Sequence, residues 1–136
     1  MEPNIQRVGD SNIYVVKLHL VFTKISDGPD GNQWEANCIN FNVVSFGETF
    51  YHGHYMIREA CEIILRGEFR KNGKIKSKLY KGGQKAFERI VSKGEVIEYD
   101  LYGEFDLDTY IENGKQVAFC DYLAIDSKET KIHVFK

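Results

Sequence analysis

Alternation of apolar and polar positions dominates the chain and predicts β-strands over most of its length. Residues 13–25 alternate with a period of two, which is typical of a long strand with one buried face. A turn cluster at 26–32 separates this strand from a second predicted strand at 34–46, and the glycine-punctuated segment 47–55 is predicted as a loop. The predicted inner faces are Tyr14, Val16, Leu18, Leu20 and Phe22 in the first strand and Ile39, Phe41 and Val43 in the second, with His19, Asn40 and Asn42 among the outer positions.

Residues 56–80 carry the pattern on which the functional prediction depends. Apolar and charged side chains alternate on both sides of Lys71-Asn72-Gly73, and Asn-Gly between two alternating runs is a typical signal of a β-hairpin. A three-residue loop places Phe69 opposite Ile75 and gathers the charged side chains on the other face, whereas a two-residue loop mixes the two faces. We therefore predict a ribbon with a cationic outer face and with Gly73 in the left-handed conformation.

One helix is predicted at 82–93, where apolar residues form a single stripe. With 56–70 as the second strand and 74–80 as the third, the helix falls between the third and fourth strands, as in a five-stranded Greek-key barrel of the oligonucleotide-binding (OB) type. Either 13–25 or 34–46 is then the first strand, and the other is an extra strand. We therefore predict a mainly β fold, a single OB-like domain over residues 1–136 with one extra N-terminal strand. The later predicted strands are 56–70, 74–80, 95–111, 115–125 (after a turn at Asn113-Gly114) and a short strand at 132–135.

The distribution of charge indicates an anionic partner. The formal net charge is −2, yet residues 66–93 hold ten basic and only two acidic side chains. Such a block is typical of a surface that attracts nucleic acid, although acidic neighbours could neutralise it in the fold. The length of 136 residues is that of one globular domain.

Composition also excludes several classes of protein. No stretch approaches the roughly 18 consecutive apolar residues of a membrane span, and the first residues do not have the pattern of a secretory signal. The three cysteines, Cys38, Cys61 and Cys120, lack the spacing of a disulfide framework or a zinc site. We expect a cytoplasmic protein that has no membrane partner.

The run from Lys78 to Lys115 resembles the bacterial and phage single-stranded DNA-binding protein family. The resemblance covers about 74–125 and implies an OB fold, single-stranded DNA as the ligand, and protein partners in replication or recombination. A divergent form, of phage or mobile-element type, is implied because the N-terminal half does not match and the chain ends in KIHVFK instead of an acidic tail. The matching positions are Leu79, Ala86, Lys93, Gly94, Gly103, Tyr110, Asn113 and Gly114.

A binder of single strands needs cations along the phosphate backbone and aromatic rings for the bases. We predict binding of single-stranded DNA without sequence preference, in replication or recombination. The acidic positions at 98–108 would then face away from DNA or meet the basic ribbon of a neighbouring subunit, so a homo-oligomer is expected. The predicted nucleic-acid-binding residues are Arg66, Arg70, Lys74, Lys76, Lys78, Tyr80, Lys81 and Lys85, with Trp34, Tyr102 and Tyr110 as stacking candidates.

Other interpretations of the same residues stay open. The barrel could be a protein-interaction module, such as a phage inhibitor or assembly factor, or it could enclose an apolar ligand. Trp34 could pack in the core, and the lysines could simply protect a sheet edge. His52 and His54 could join Cys38 or Cys61 at a metal, but the spacing matches no recognised finger. We expect no metal, no cofactor and, because no catalytic motif is present, no enzyme activity.

Overall fold

The computed structural model describes residues 5–26, 28, 31–73, 85, 87–89 and 107–128. These residues form a mainly β fold in which a five-stranded sheet is packed against a long helix. Residues 85 and 87–89 are also helical, in agreement with the helix predicted at 82–93. The elements are β1 (Ile5–Arg7), β2 (Ile13–Lys24), β3 (Trp34–Cys38), β4 (Val43–Gly47), α1 (Phe50–Asn72), α2 (Leu107–Tyr110) and β5 (Gln116–Asp126).

Strand β2 organises an entirely antiparallel sheet. β5 pairs with β2 along almost its whole length, from Ile13 opposite Asp126 to Thr23 opposite Gln116. β1 and β3 pair with opposite ends of β2 and therefore share its other edge, and β4 extends the sheet beyond β3. Among the described residues the sheet is not closed into a barrel, so the predicted Greek-key barrel of OB type is not confirmed.

The main core lies between α1 and one face of the sheet. α1 buries Ile57, Cys61, Leu65 and Phe69 at intervals of four residues, as expected for one face of a helix. They meet the inner face predicted for β2, whose residues from Val16 to Phe22 on that side are at most 1% exposed. The prediction of a strand at 13–25 is therefore confirmed.

The predictions of a loop at 47–55 and of a strand at 56–70 are wrong, because α1 begins at Phe50 and continues to Asn72. Thr49 caps its first turn by accepting a hydrogen bond from the backbone N–H of His52 at 3.0 Å. Gly73 has φ of 69° and closes the last turn, its N–H bonded to the Phe69 carbonyl. Gly73 is left-handed as predicted, but at the end of a helix instead of in a hairpin.

The single strand predicted at 34–46 is two strands, β3 and β4, joined by a tight turn. Asn42 adopts a positive φ of 52° in this turn, which ends the alternation on which the prediction depended. Asn40 is buried, not external as predicted, because its side-chain carbonyl accepts the backbone N–H of His19 at 2.6 Å. Trp34 and Cys38, rather than Ile39, therefore supply the inner face here.

The C-terminal predictions have mixed outcomes. The strand predicted at 115–125 is confirmed as β5, and Gly114 turns the chain with φ of 85°. The predicted strand at 95–111 is wrong at its end, since Leu107–Tyr110 are helical. Strand β1 was not predicted. The predicted strands at 74–80 and 132–135, and most of the one at 95–111, lie outside the described residues.

A small second core covers part of the sheet face opposite α1. Phe87 packs there against Val21 and Ala118, and the ring of His19 meets the Phe87 ring edge-on at 4.7 Å. His19 is only 4% exposed, although its position was predicted as external. Burial lowers the pKa of His19. The helical residues around Phe87 are thereby attached to the sheet.

Candidate nucleic-acid interface

The first strand of the predicted cationic ribbon is wrong, because the chain is helical up to Asn72 and Arg66 and Arg70 lie on helix α1. Glu62, one turn before Arg66, binds its guanidinium: Glu62 Oε1 lies 2.8 Å from Nη2 and 3.0 Å from Nε. The Arg66 side chain is 17% exposed. Arg66 is thus largely neutralised within the helix, and we do not include it among the phosphate-binding candidates.

Cations that are exposed lie on both sides of the undescribed segment 74–84. Arg70 and Lys71 occupy the last turn of α1, Lys85 lies in the helical segment beyond, and all three are exposed. The ion pairs found between described residues involve none of these three. Of the other predicted site residues, Lys74, Lys76, Lys78, Tyr80, Lys81 and Tyr102 lie outside the described residues, and Tyr110 is placed in α2 by its backbone alone.

Trp34 is a core residue, so its prediction as a stacking surface is wrong. It is 0% exposed, and its indole N–H donates to Asp108 Oδ1 at 2.6 Å. The same oxygen accepts the backbone N–H of Phe50 at 2.8 Å. Asp108 was predicted on an external acidic face; instead it joins α2, β3 and the start of α1. A carboxylate at this end of a helix also interacts favourably with the helix dipole.

Two exposed tyrosines near the start of α1 were missed by the sequence analysis. Tyr51 is 70% exposed and Tyr55 is 58% exposed. They lie one helical turn apart, and at about 100° per residue Tyr55 lies about 20° around α1 from Arg66 and about 60° from Arg70, whereas Tyr51 lies about 100° from Arg70. The loop prediction for 47–55 concealed this relation, since only helical spacing brings residues four apart together.

A buried polar cluster holds this helix on the sheet. His54 Nε2 lies 2.7 Å from Asp121 Oδ2, and Arg58 Nη1 donates to the same oxygen at 2.6 Å and to the Tyr122 carbonyl at 3.0 Å. The His54 ring also packs against Phe22 and Phe119. The first half of α1 is therefore fixed in orientation, and the direction of its exposed side chains is fixed with it.

The environment of Asp121 explains how a carboxylate can be 7% exposed in this cluster. Burial alone would raise the pKa of Asp121, but hydrogen bonds from His54, Arg58 and the Tyr122 backbone N–H outweigh burial and hold that pKa below its usual value. Asp121 is consequently an anion paired within the protein, and it does not contribute free negative charge to the helix surface.

The histidines and cysteines named as alternative metal ligands have other partners. His52 Nδ1 accepts the backbone N–H of Glu48 at 3.2 Å, His54 binds Asp121, Cys38 Sγ donates to Asn40 Oδ1 at 3.7 Å, and Cys61 is buried in the core. In the part of the chain that the structure describes, no group of three His, Cys, Asp or Glu side chains could hold a metal ion. Nor is any helix there both long enough and apolar enough to cross a membrane.

Comparison of the chain with protein-family models, with curated proteins and with solved structures gives no match. The functional assignment therefore depends on the residues themselves. The features that bear on it are the basic composition of residues 70–85, with Arg70, Lys71 and Lys85 exposed, and the exposed tyrosines of α1.

Proposed function

We propose that this protein binds single-stranded DNA through a cationic segment, residues 70–85, that begins in the last turn of helix α1. The observation that carries the proposal is the absence of any acidic residue from this segment, which contains seven basic ones: Arg70, Lys71, Lys74, Lys76, Lys78, Lys81 and Lys85. A segment of this kind attracts phosphates whether it is a ribbon, a helix or a loop. The proposal therefore does not require the hairpin on which it first depended.

The described ends of the cationic segment support this interpretation. Arg70, Lys71 and Lys85 are all exposed, as phosphate contacts require. Placement of Arg70 and Lys71 beside the C-terminus of α1 also stabilises the helix, but this local role leaves their charged groups at the surface.

The salt dependence of binding tests the electrostatic part of the proposal. Binding of a fluorescent oligothymidine is measured by anisotropy between about 50 and about 200 mM salt. Six phosphate contacts predict a slope of about −4 for the logarithm of affinity against the logarithm of salt, since each contact contributes about −0.7. Replacing Arg70, Lys71 and Lys85 together by Gln should reduce the slope to about −2.

Lys115 and Lys128 provide a matched control, because both are exposed and lie outside the cationic segment. Replacing this pair by Gln lowers the positive charge without touching residues 70–85 and should leave the slope unchanged. Absence of oligothymidine binding at low salt would overturn the proposal. The proposal would also be overturned if the triple replacement and the control pair reduced the slope equally for each charge removed.

A second candidate function is a protein-interaction module, favoured by one observation. Tyr51, Tyr55 and Ile63 are exposed along α1, and Ile63 is 45% exposed. Exposed tyrosine and aliphatic side chains on one helix are common in protein interfaces. A pull-down that recovers one stoichiometric partner, before and after nuclease treatment, would favour this function; loss of the partner after nuclease would favour nucleic acid.

A further inference from the structure

The two buried histidines of the sheet and of α1 have different electrostatic environments. His54 Nε2 lies 2.7 Å from the Asp121 carboxylate, so a negative charge compensates a proton on the His54 ring. His19 is 4% exposed, and its Nδ1 lies 3.3 Å from Oδ1 of Asn40, an uncharged amide. None of the ion pairs between described residues involves His19. A proton on the His19 ring therefore places a positive charge in a buried site against a neutral partner.

The ring that contacts His19 belongs to a part of the fold that few apolar contacts attach to the sheet. The rings of His19 and Phe87 meet edge-on, with their centres 4.7 Å apart. The second core consists of Phe87 with Val21 and Ala118, which are paired on β2 and β5. Phe87 is the member of this cluster that lies outside the sheet, and we call residues 87–89 the covering segment. Segments held by few buried apolar contacts open at low cost in free energy.

The other titratable groups around His19 act in both directions. In the described part of the chain, Lys17 on the same face of β2 disfavours a proton on the ring, and Glu88 of the covering segment favours one. Cys120, opposite His19 on β5, has a pKa raised by burial and stays a neutral thiol. Burial of the ring is the largest effect and outweighs both Glu88 and the hydrogen bond to Asn40. The pKa of His19 consequently lies below its ordinary 6.5.

We propose that protonation of His19 releases the covering segment from the sheet, so that attachment of this segment depends on pH in the range in which histidine titrates. The neutral ring can stay buried against Phe87 and Asn40. The charged ring is hydrated only when the covering segment moves away, so a proton binds the released form more tightly than the attached form. Attachment is therefore strongest above pH 6.5 and weakens as the pH falls below that value. This inference is independent of the proposed function.

Hydrogen–deuterium exchange of peptides that contain residues 87–89 tests the proposal, after correction for the pH dependence of intrinsic amide exchange. Protection in the wild type should be about three- to 30-fold lower at about pH 5 than at about pH 7.5; the upper value applies if the attached form binds no proton. His19→Asn keeps an amide that can meet Asn40 but cannot be protonated in this range, so its protection should not change with pH. Asp121 does not interfere, because its pKa lies below 3.8.

His52→Gln is the matched control, because His52 is an exposed histidine on α1. This variant should keep the pH dependence of the wild type. Phe87→Ala removes the ring that contacts His19 and should give low protection at both pH values, which keeps the test decisive if His19→Asn does not fold. A wild-type change of less than about threefold, equal pH dependence in His19→Asn, high protection in Phe87→Ala, or loss of the dependence in His52→Gln would each overturn the proposal. Equal protection of the covering segment and of β2 would also overturn it, since the opening would then be global.

Discussion

Replacement of Asp121 by asparagine tests the view that one buried carboxylate anchors helix α1 to the sheet. Asp121 Oδ2 meets both His54 and Arg58, while Oδ1 accepts the Tyr122 backbone N–H at 2.8 Å. An asparagine has one carbonyl oxygen and one amide group in these two positions. One side of the cluster must therefore face a donor instead of an acceptor, and the negative charge is lost.

The expected loss of stability follows from the exposure of the partners. Removing one member of a buried ion pair costs about 3–5 kcal/mol. The Arg58 side chain is 33% exposed and can turn partly toward water, so we expect the lower value of about 2–3 kcal/mol in the free energy of unfolding. For a domain of this size, that corresponds to a fall in Tm of about 10 °C.

Urea denaturation followed by tryptophan fluorescence measures this change, because Trp34 is the sole tryptophan and is buried.

The pH dependence of stability supplies a second signature. The pKa of Asp121 in the folded protein lies below its usual 3.8, so its stabilisation is present above pH 3.8 and is lost as the pH falls through the folded value. The free energies of unfolding of wild type and variant should therefore differ by the full amount at neutral pH, and this difference should disappear in strong acid.

Asp126→Asn is the matched control for this prediction. Asp126 lies on the same strand, is exposed, and accepts the local backbone N–H of Lys128 at 2.9 Å. Its replacement should change stability by less than about 0.5 kcal/mol. Equal effects at the two positions, or a loss at Asp121 that does not diminish in acid, would refute the assignment of Asp121 as the anchor.

Three further changes have expected outcomes. Gly47→Ala should destabilise the protein by about 3 kcal/mol or more, because the added Cβ would overlap the α1 backbone. Gly67→Ala, where the added Cβ meets open space, should be neutral or should stabilise by about 1 kcal/mol. Urea denaturation measures both changes, and the opposite order would contradict the packing. Thr49→Ala should cost about 1 kcal/mol through loss of the helix cap, measured by thermal melts with Thr49→Asn as control. In the native protein, an aromatic disulfide reagent should modify Cys120 before Cys61. Cys61 is 0% exposed, and its pKa is raised by the neighbouring Cys38 thiol and by burial. Faster modification of Cys61 would contradict this order.

Strands β2 and β5 were predictable because each buries one face along its length. From Val16 to Phe22 and from Val117 to Ile125, alternate residues face α1 and the intervening ones face the other side of the sheet. A period of two over seven and nine residues leaves little room for another interpretation. Burial of the other side was not predictable: His19 is covered by Phe87, and Asn40, between β3 and β4, is buried through its hydrogen bond to the β2 backbone.

Helix α1 was missed because a short window fits two periods. Over 63–70, Leu65 and Phe69 satisfy both an alternating strand and a helix with one buried face. In a window that extends back to Ile57, the buried residues are clearly spaced four apart. Other signals opposed a helix, however, because Gly53 and Gly67 have low helix propensity and the Asn72-Gly73 pair suits a hairpin as well as a helix C-terminus. Local signals were therefore ambiguous, and packing against the sheet decided the outcome.

The two parts of the candidate site differ in how far they could be predicted. The basic composition of residues 70–85 does not depend on their local structure, so the sequence was sufficient to find this segment. The alignment of Tyr51 with Tyr55 exists only in a helix and could not be found while 47–55 was predicted as a loop. Because a helix advances about 1.5 Å per residue and a strand about 3.3 Å, the change of element also shortens the surface between tyrosines and cations to less than half of its length in a strand. Along the axis of α1, Tyr55 and Arg70 are about 22 Å apart, whereas a strand of the same length would separate them by about 50 Å.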